Sequence, residues 1–202
     1  MSVVDANSTT IPGAPAARVS PDAALEPIFT GRDGAAVRDL KLNLKKLVGD
    51  ASLDAREATL TLVAVAATLG EPMLAQAAAA IADGIDLAEN ERVEARELAA
   101  LMTMLNRYYR FRHMLEDAHG AEHLANHYRG AGLRMNALSK PALGRELTEL
   151  IALAVSVVNG CQSCIAAHEA ELRKVGVDVA KIHDAARLAS VASGVAVLGY
   201  RP

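Results

Sequence analysis

Both cysteines of this 202-residue chain fall in one short stretch, NGCQSCIAAHEAELRKVGVD, where Cys161 and Cys164 stand three apart and His168 follows four residues later. A thiol acts as a nucleophile or a metal ligand only as the thiolate, and a neighbouring imidazole can take its proton or stabilise the anion. A second thiol three residues away can then attack a sulfenic acid or mixed disulfide on the first, closing the pair before irreversible over-oxidation. Two plainer readings stand beside this one. Free cysteine is often a small buried hydrophobe. A metal could use the two thiols, the imidazole and a carboxylate, although the helical spacing supplies only three ligands and there is no second Cys-x-x-Cys.

Asn159-Gly160 reads as a helix stop, so a new helix is expected to begin around Cys161 and to carry both thiols in or near its first turn. Unpaired N–H groups and the positive end of the helix dipole favour an anion there and lower a thiol pKa. By this argument alone Cys161 is the more acidic thiol. Cys164 and His168 are i and i+4 and share a face, with Cys161 one turn back on the same stripe. On the preceding helix, RELTELIALAV, Glu149 lies twelve residues before Cys161. A helical hairpin through Asn159-Gly160 would bring that carboxylate to the row, and Glu146 is an equal candidate by spacing.

Other clusters carry weaker signals. His119, His123 and His127 recur every four residues, but Gly120 and Gly130 weaken that helix, so solvated or capping roles are expected rather than a metal site. The basic, aromatic run NRYYRFRH, Asn106 to His113, is expected to pack its rings at a helix end and leave its arginines in solvent. Met102, Met104 and Met114 read as core filler.

The elements that must hold these residues are helical. Alanine, leucine and valine dominate, aromatic residues are 3% and tryptophan is absent, a composition that favours an all-α bundle. A net charge of −3 removes the general electrostatic case for nucleic acid or an anionic membrane. No apolar run is long enough for a membrane span, and the N-terminus lacks a secretory signal pattern. The expectation is a cytoplasmic protein, where a lone cysteine pair serves reversible redox chemistry or a metal rather than a permanent staple. Residues 1–22, rich in Pro, Gly, Ser and Thr, read as a mobile tail, with a single helical domain over 23–202.

That domain repeats itself. TLTLVAVAATLGEPMLAQAAAAIADGID aligns with ELIALAVSVVNGCQSCIAAHEAELRKVGVD, matching Gly70 to Gly160 and, after a two-residue adjustment, Gly84-Ile85-Asp86 to Gly176-Val177-Asp178. Two related helical units are therefore expected, at about 40–115 and 140–200. Where the second carries Cys161, Cys164 and His168, the first carries Glu71, Leu74 and Ala78.

The pattern Glu149, eleven residues, then Cys161-x-x-Cys164-x-x-x-His168 resembles the signature of the alkylhydroperoxidase D (AhpD) family, within the carboxymuconolactone decarboxylase-like superfamily. DLKLNL near Asp39, NRYYRFRHM near Tyr108 and GLRMN at Gly132 to Asn136 extend the likeness to roughly residues 24–200. The resemblance implies an all-helical fold of two related halves, assembled as a homotrimer. It implies reduction of organic hydroperoxides to alcohols through a Cys161–Cys164 disulfide, with no bound cofactor, recharging by dihydrolipoyl groups on a lipoylated protein, and service as reductant of the peroxiredoxin AhpC. It makes Cys164 the peroxidatic thiol, Cys161 the resolving one, and Glu149 with His168 the proton relay. One departure stands out: the best-known members carry a histidine between the cysteines, where this chain has Ser163, a hydroxyl that cannot hold a proton near neutral pH. The alternatives are a thiol–disulfide reductant or redox sensor for a protein partner, and a metal-binding or structural helical module.

Overall fold

The computed structural model describes residues 18–199. Among these residues there are nine α-helices, one short 3₁₀ turn and no strand. The helices are α1 (Pro21–Phe29), α2 (Ala35–Gly49), α3 (Ala55–Leu69), α4 (Pro72–Gly84), α5 (Glu89–His119), α6 (Ala121–His127), α7 (Arg145–Asn159), α8 (Gln162–Lys174) and α9 (Val179–Gly199). Most of the stretch read as a tail lies outside the described residues. Its last part does not behave as one: Ser20 caps α1, whose first residue is Pro21, because a serine oxygen accepts the Ala23 N–H and proline suits the first helical turn. Arg18 pairs with Asp86 at 2.5 Å, and the chain at Val19 runs so close over α4 that a Cβ on Gly84 would lie 2.5 Å from the Val19 carbonyl oxygen.

The core is built around α3 and α7. Both are apolar nearly all round, with Leu60, Leu62, Val65, Leu150, Ile151 and Leu153 fully buried, which is the pattern of a helix surrounded by others. Each such side chain contributes roughly 1.5–3 kcal/mol of burial free energy. Helix α5 packs against both α3 and α7, and α9 does the same from the other side. The third helix of each unit thus lies across the first helix of the other, so neither unit closes its core alone.

The repeat holds a constant offset. Helices α3, α4 and α5 start at Ala55, Pro72 and Glu89, and α7, α8 and α9 start 90 residues later at Arg145, Gln162 and Val179. Gly70 and Gly160 close the first helices with nearly the same left-handed backbone, φ 65° and 64°. The two-residue adjustment expected at the second turn is not made. Gly176, at φ 87°, corresponds to Asp86, at φ 55°, and not to Gly84. Asp86 is the one non-glycine residue with positive φ among the described residues; aspartate tolerates that conformation better than most. The hydrogen bonds Leu87 N–H to Ala82 O and Val177 N–H to Leu172 O repeat at the same spacing. Glycine identity misled the alignment because the turn needs the conformation, and aspartate supplies it.

Few polar groups enter this core. Asp184 of α9 accepts the Ser52 N–H at 2.9 Å and the Arg187 guanidinium at 2.9 Å, tying α9 to the turn before α3. Burial pushes the Asp184 pKa up, but the bonds from Ser52 and the charge of Arg187 outweigh it and hold the carboxyl below its ordinary value. With the folded pKa below the unfolded one, the stabilisation is present above about pH 4 and is lost as pH falls through the folded value. Asp184→Asn is expected to cost about 1–3 kcal/mol at neutral pH. In thermal unfolding from pH 7 to pH 3, the variant should lose less further stability than the native chain.

Candidate active site

The site is assembled at the reversal from α7 to α8. Helix α7 ends at Asn159, Gly160 turns the chain, and α8 begins at Gln162, so Cys161 is the residue that caps α8 rather than its first helical residue. Cys164 follows in the first turn. The two sulfurs form a disulfide with Cα atoms 5.3 Å apart, within the range that needs no backbone shift. Cys161 is 1% exposed and Cys164 8%. An apolar cleft of about 340 Å³ reaches Cys164 but not Cys161; Met102, Leu105, Tyr109, Leu138 and Ala167 line it together with Ser163, Cys164 and His168. A larger groove of about 680 Å³ beside the N-terminal half of α5 is lined by neither cysteine nor histidine.

Glu149, on α7, faces His168, on α8, with Oε2 2.7 Å from Nδ1 and each side chain 20% exposed. A carboxylate at that ring nitrogen fixes the tautomer and leaves Nε2 for chemistry on its other side. The hairpin through Gly160 therefore brings together all four of Glu149, Cys161, Cys164 and His168. It does not bring Glu146, which sits half-exposed 3.6 Å from Lys181. Lys181 is held chiefly by a 2.6 Å bond to Glu57, which keeps its pKa above the ordinary lysine value.

What fixes the reversal comes from α5. Asn106, 1% exposed, donates to Ser156 Oγ at 2.9 Å, and its carbonyl accepts from the Asn159 amide at 3.1 Å. One turn on, Arg110 Nη1 donates to the Asn159 carbonyl at 2.7 Å. These residues belong to the run expected to leave its arginines in solvent. Arg107 and Arg110 are exposed as expected, but Arg110 also holds the turn before Cys161, Arg112 bonds the Tyr128 carbonyl, and the Tyr108 hydroxyl bonds the Gly130 carbonyl at 3.1 Å. Tyr109 lines the cleft.

Two further expectations change. Met102 is buried and lines the cleft, but Met104 is 36% and Met114 62% exposed, so only the first is core. On the long α5 the other two fall on the outer face. The three histidines do not share one helix, since Gly120, at φ 83°, ends α5 and starts α6. Their rings nonetheless lie close in a row, tilted to one another by 44° and 46°, with centroids 4.8 Å apart from His119 to His123 and 4.5 Å from His123 to His127. Desolvation first, then the charges of His127 and His119, push the His123 pKa down. Among the described residues no three or more His, Cys, Asp or Glu are arranged to hold a metal, and no helix is long and apolar enough to cross a membrane.

Residues 126–199 match the carboxymuconolactone decarboxylase family. The chain is 43% identical over 161 residues to the alkyl hydroperoxide reductase AhpD of Frankia alni, across 79% of this chain and 83% of that protein. It is 41% identical to the protein of the same name from Anaeromyxobacter dehalogenans, across 79% and 82% of the two chains. For that of Streptomyces coelicolor the identity is 37%, across 79% and 86%. The chain belongs to the AhpD family. The family match starts within α6 and covers the reversal and all four residues of the site, whereas the anchoring residues Asn106 and Arg110 precede it.

The signal for those anchors was in the sequence as a run of hydrogen-bonding residues on one helix. Only the packing of α5 on α7 shows what they bond. Asn106→Ala is expected to leave the Ser156 hydroxyl and the Asn159 amide short of a partner and to cost about 1–3 kcal/mol. Chemical denaturation measures the loss, and adding Ser156→Ala should recover part of it.

Proposed function

We propose that this chain is an antioxidant alkyl hydroperoxidase that reduces organic hydroperoxides to alcohols through a dithiol–disulfide cycle of Cys161 and Cys164. The observation that carries the reading is the placement of Cys164 at the apolar cleft that His168 also lines, with Glu149 behind the imidazole. An alkyl hydroperoxide has an apolar tail and one reactive O–O bond, and such a cleft accepts the tail while directing the bond at the sulfur. In the reduced enzyme the Cys164 thiolate attacks the terminal peroxide oxygen. The O–O bond breaks, the alkoxide takes a proton from the His168 side, and Cys164 is left as a sulfenic acid. The Cys161 thiolate attacks that sulfur, hydroxide leaves as water, and the disulfide forms. Glu149 orients the imidazole through its contact with Nδ1.

A dihydrolipoyl group returns the electrons. It is a small dithiol on an apolar arm, presented by a lipoylated protein, and the walls formed by Met102, Leu105, Tyr109 and Leu138 suit that arm as they suit an alkyl tail. In the same reading the chain acts as a cytoplasmic homotrimer and passes electrons to an AhpC-type peroxiredoxin. Ser163 cannot add a proton store beside the cysteines, so the relay rests on Glu149 and His168.

Thiol titration before and after one equivalent of cumene hydroperoxide tests the reading. Loss of both thiols per chain, reversed by dihydrolipoamide, is expected; thiols that stay free would overturn it. Cys164→Ser should abolish turnover, and Cys161→Ser should allow one oxidation and stop at the sulfenic acid, detected by dimedone labelling. Glu149→Gln should lower the peroxidase rate by roughly 10²-fold or more if the relay operates as general acid–base catalysis.

A further inference from the structure

The unarmed unit shows what the armed one lacks. At the start of α4, Glu71 is the capping residue, and its Oε2 accepts the Leu74 N–H at 2.6 Å. A carboxylate oxygen thus takes one of the otherwise unpaired N–H groups at the start of that helix. Ninety residues on, Cys161 occupies the same capping position on α8 and Cys164 the place of Leu74, but no side chain caps α8 while the sulfurs are joined. The Ser163 hydroxyl lies 3.7 Å from the Cys161 sulfur. A disulfide sulfur carries no proton, so the hydroxyl is the donor.

We propose that reduction of the disulfide releases Cys161 as a thiolate that caps α8 as Glu71 caps α4, with the Ser163 hydroxyl as its second donor, so that the electron donor attacks Cys164. The inference rests on the redox reading of the pair given above. The Ser163 O–H already contacts the Cys161 sulfur before the bond breaks, and Cys164 stands where Leu74 in the first unit donates its N–H to the capping carboxylate. The charged groups around the turn are Arg110 from α5, bonded to the Asn159 carbonyl, and Glu149 and His168, bonded to each other. Arg110 places a positive charge at the Asn159 carbonyl, two residues before Cys161, and Glu149 is held by the imidazole. The cleft, meanwhile, reaches Cys164 and not Cys161.

The step balances. One thiolate of a dithiol donor bonds to the Cys164 sulfur, the S–S bond breaks, and its electron pair leaves on Cys161. The donor's second thiolate then attacks its own sulfur in the mixed disulfide, forming the cyclic disulfide of the donor and freeing Cys164 as a thiolate. Two electrons pass from donor to protein, and the two thiol protons of the donor are released to solvent or taken up by the cysteines. A good leaving thiolate speeds such exchange, and the same stabilised thiolate is the nucleophile that closes the disulfide after oxidation. Ser163, at the position where the best-known relatives carry histidine, is therefore a positioning residue for the leaving sulfur.

Three measurements on the full chain decide it. In Cys164→Ser, the ultraviolet thiolate band of Cys161 should titrate below the free-cysteine value of about 8.5. Adding Ser163→Ala should move that midpoint up, and Ser163→Thr, which keeps the hydroxyl, should restore it. In the otherwise native chain, Ser163→Ala should slow single-turnover reduction of the disulfide by dihydrolipoamide roughly three- to tenfold, the size of one hydrogen bond. Brief exposure of the oxidised protein to glutathione, quenched with iodoacetamide, should place glutathione on Cys164 and the alkyl group on Cys161 by peptide mass spectrometry. A Cys161 midpoint at or above 8.5, no response to Ser163→Ala, or glutathione on Cys161 each overturns the proposal. Because the Cys161 titration needs no turnover, it decides the capping role even if cumene hydroperoxide leaves the thiols untouched and the peroxidase reading fails.

Discussion

The reversal at Asn159-Gly160 is the constraint on which the site depends. Gly160 takes a left-handed backbone, at φ 64°, so that α8 can fold back along α7 after a two-residue connection. That single turn sets the distance between a carboxylate on one helix and an imidazole on the next, and it leaves Cys161 at a helix start where N–H groups point outward without partners. A turn of this kind is free to rock unless something grips it. Here α5 grips it through Asn106 and Arg110, one at the Asn159 side chain and the other at its carbonyl. Side chains whose rotamers are locked in this way hold reacting groups to the tolerance that proton and thiol transfer need.

The two units divide the labour. Both need an apolar first helix buried among its neighbours, a glycine to end it and a short second helix folded back. The first unit fills the equivalent site positions with Thr59, Glu71, Leu74 and Ala78, which pack and cap. Its scaffold is complete with no thiol and no imidazole, so packing does not demand those groups in the second unit. Four substitutions on the shared frame supply the chemistry, while the crossing of α5 and α9 over both central helices makes the unarmed unit part of the core that holds the armed one.

The cleft unites residues from three separate stretches. Met102, Leu105 and Tyr109 come from α5, Leu138 from the short turn before α7, and Ser163, Cys164, Ala167 and His168 from α8. Apolar walls exclude water from the sulfur and strengthen each nearby electrostatic contact. They also leave Cys161 behind the disulfide, away from anything that enters. The cleft thus distinguishes the two cysteines, reaching Cys164 and not Cys161, although they stand only three residues apart.

By itself, the sequence determined the helical class, the existence of a repeat and the row of Cys161, Cys164 and His168, because 3.6-residue periodicity, helix-stop glycines and residue spacing are local patterns that survive in one dimension. The pattern of a glutamate eleven residues before Cys-x-x-Cys-x-x-x-His already contains the hairpin once Gly160 is read as a turn. Three features were decided only by the tertiary structure. Glu149 and Glu146 are equivalent by spacing, and the rotation of α7 against α8 sends one to His168 and the other to Lys181. Nothing in the basic run announced that Asn106 and Arg110 would bond Asn159; that came only with the packing of α5 against α7. The true register of the repeat was hidden because Asp86 adopts the left-handed conformation that Gly176 announces by its identity. In each case the deciding quantity is a relative orientation of helices or a backbone dihedral, and neither is carried by residue type alone.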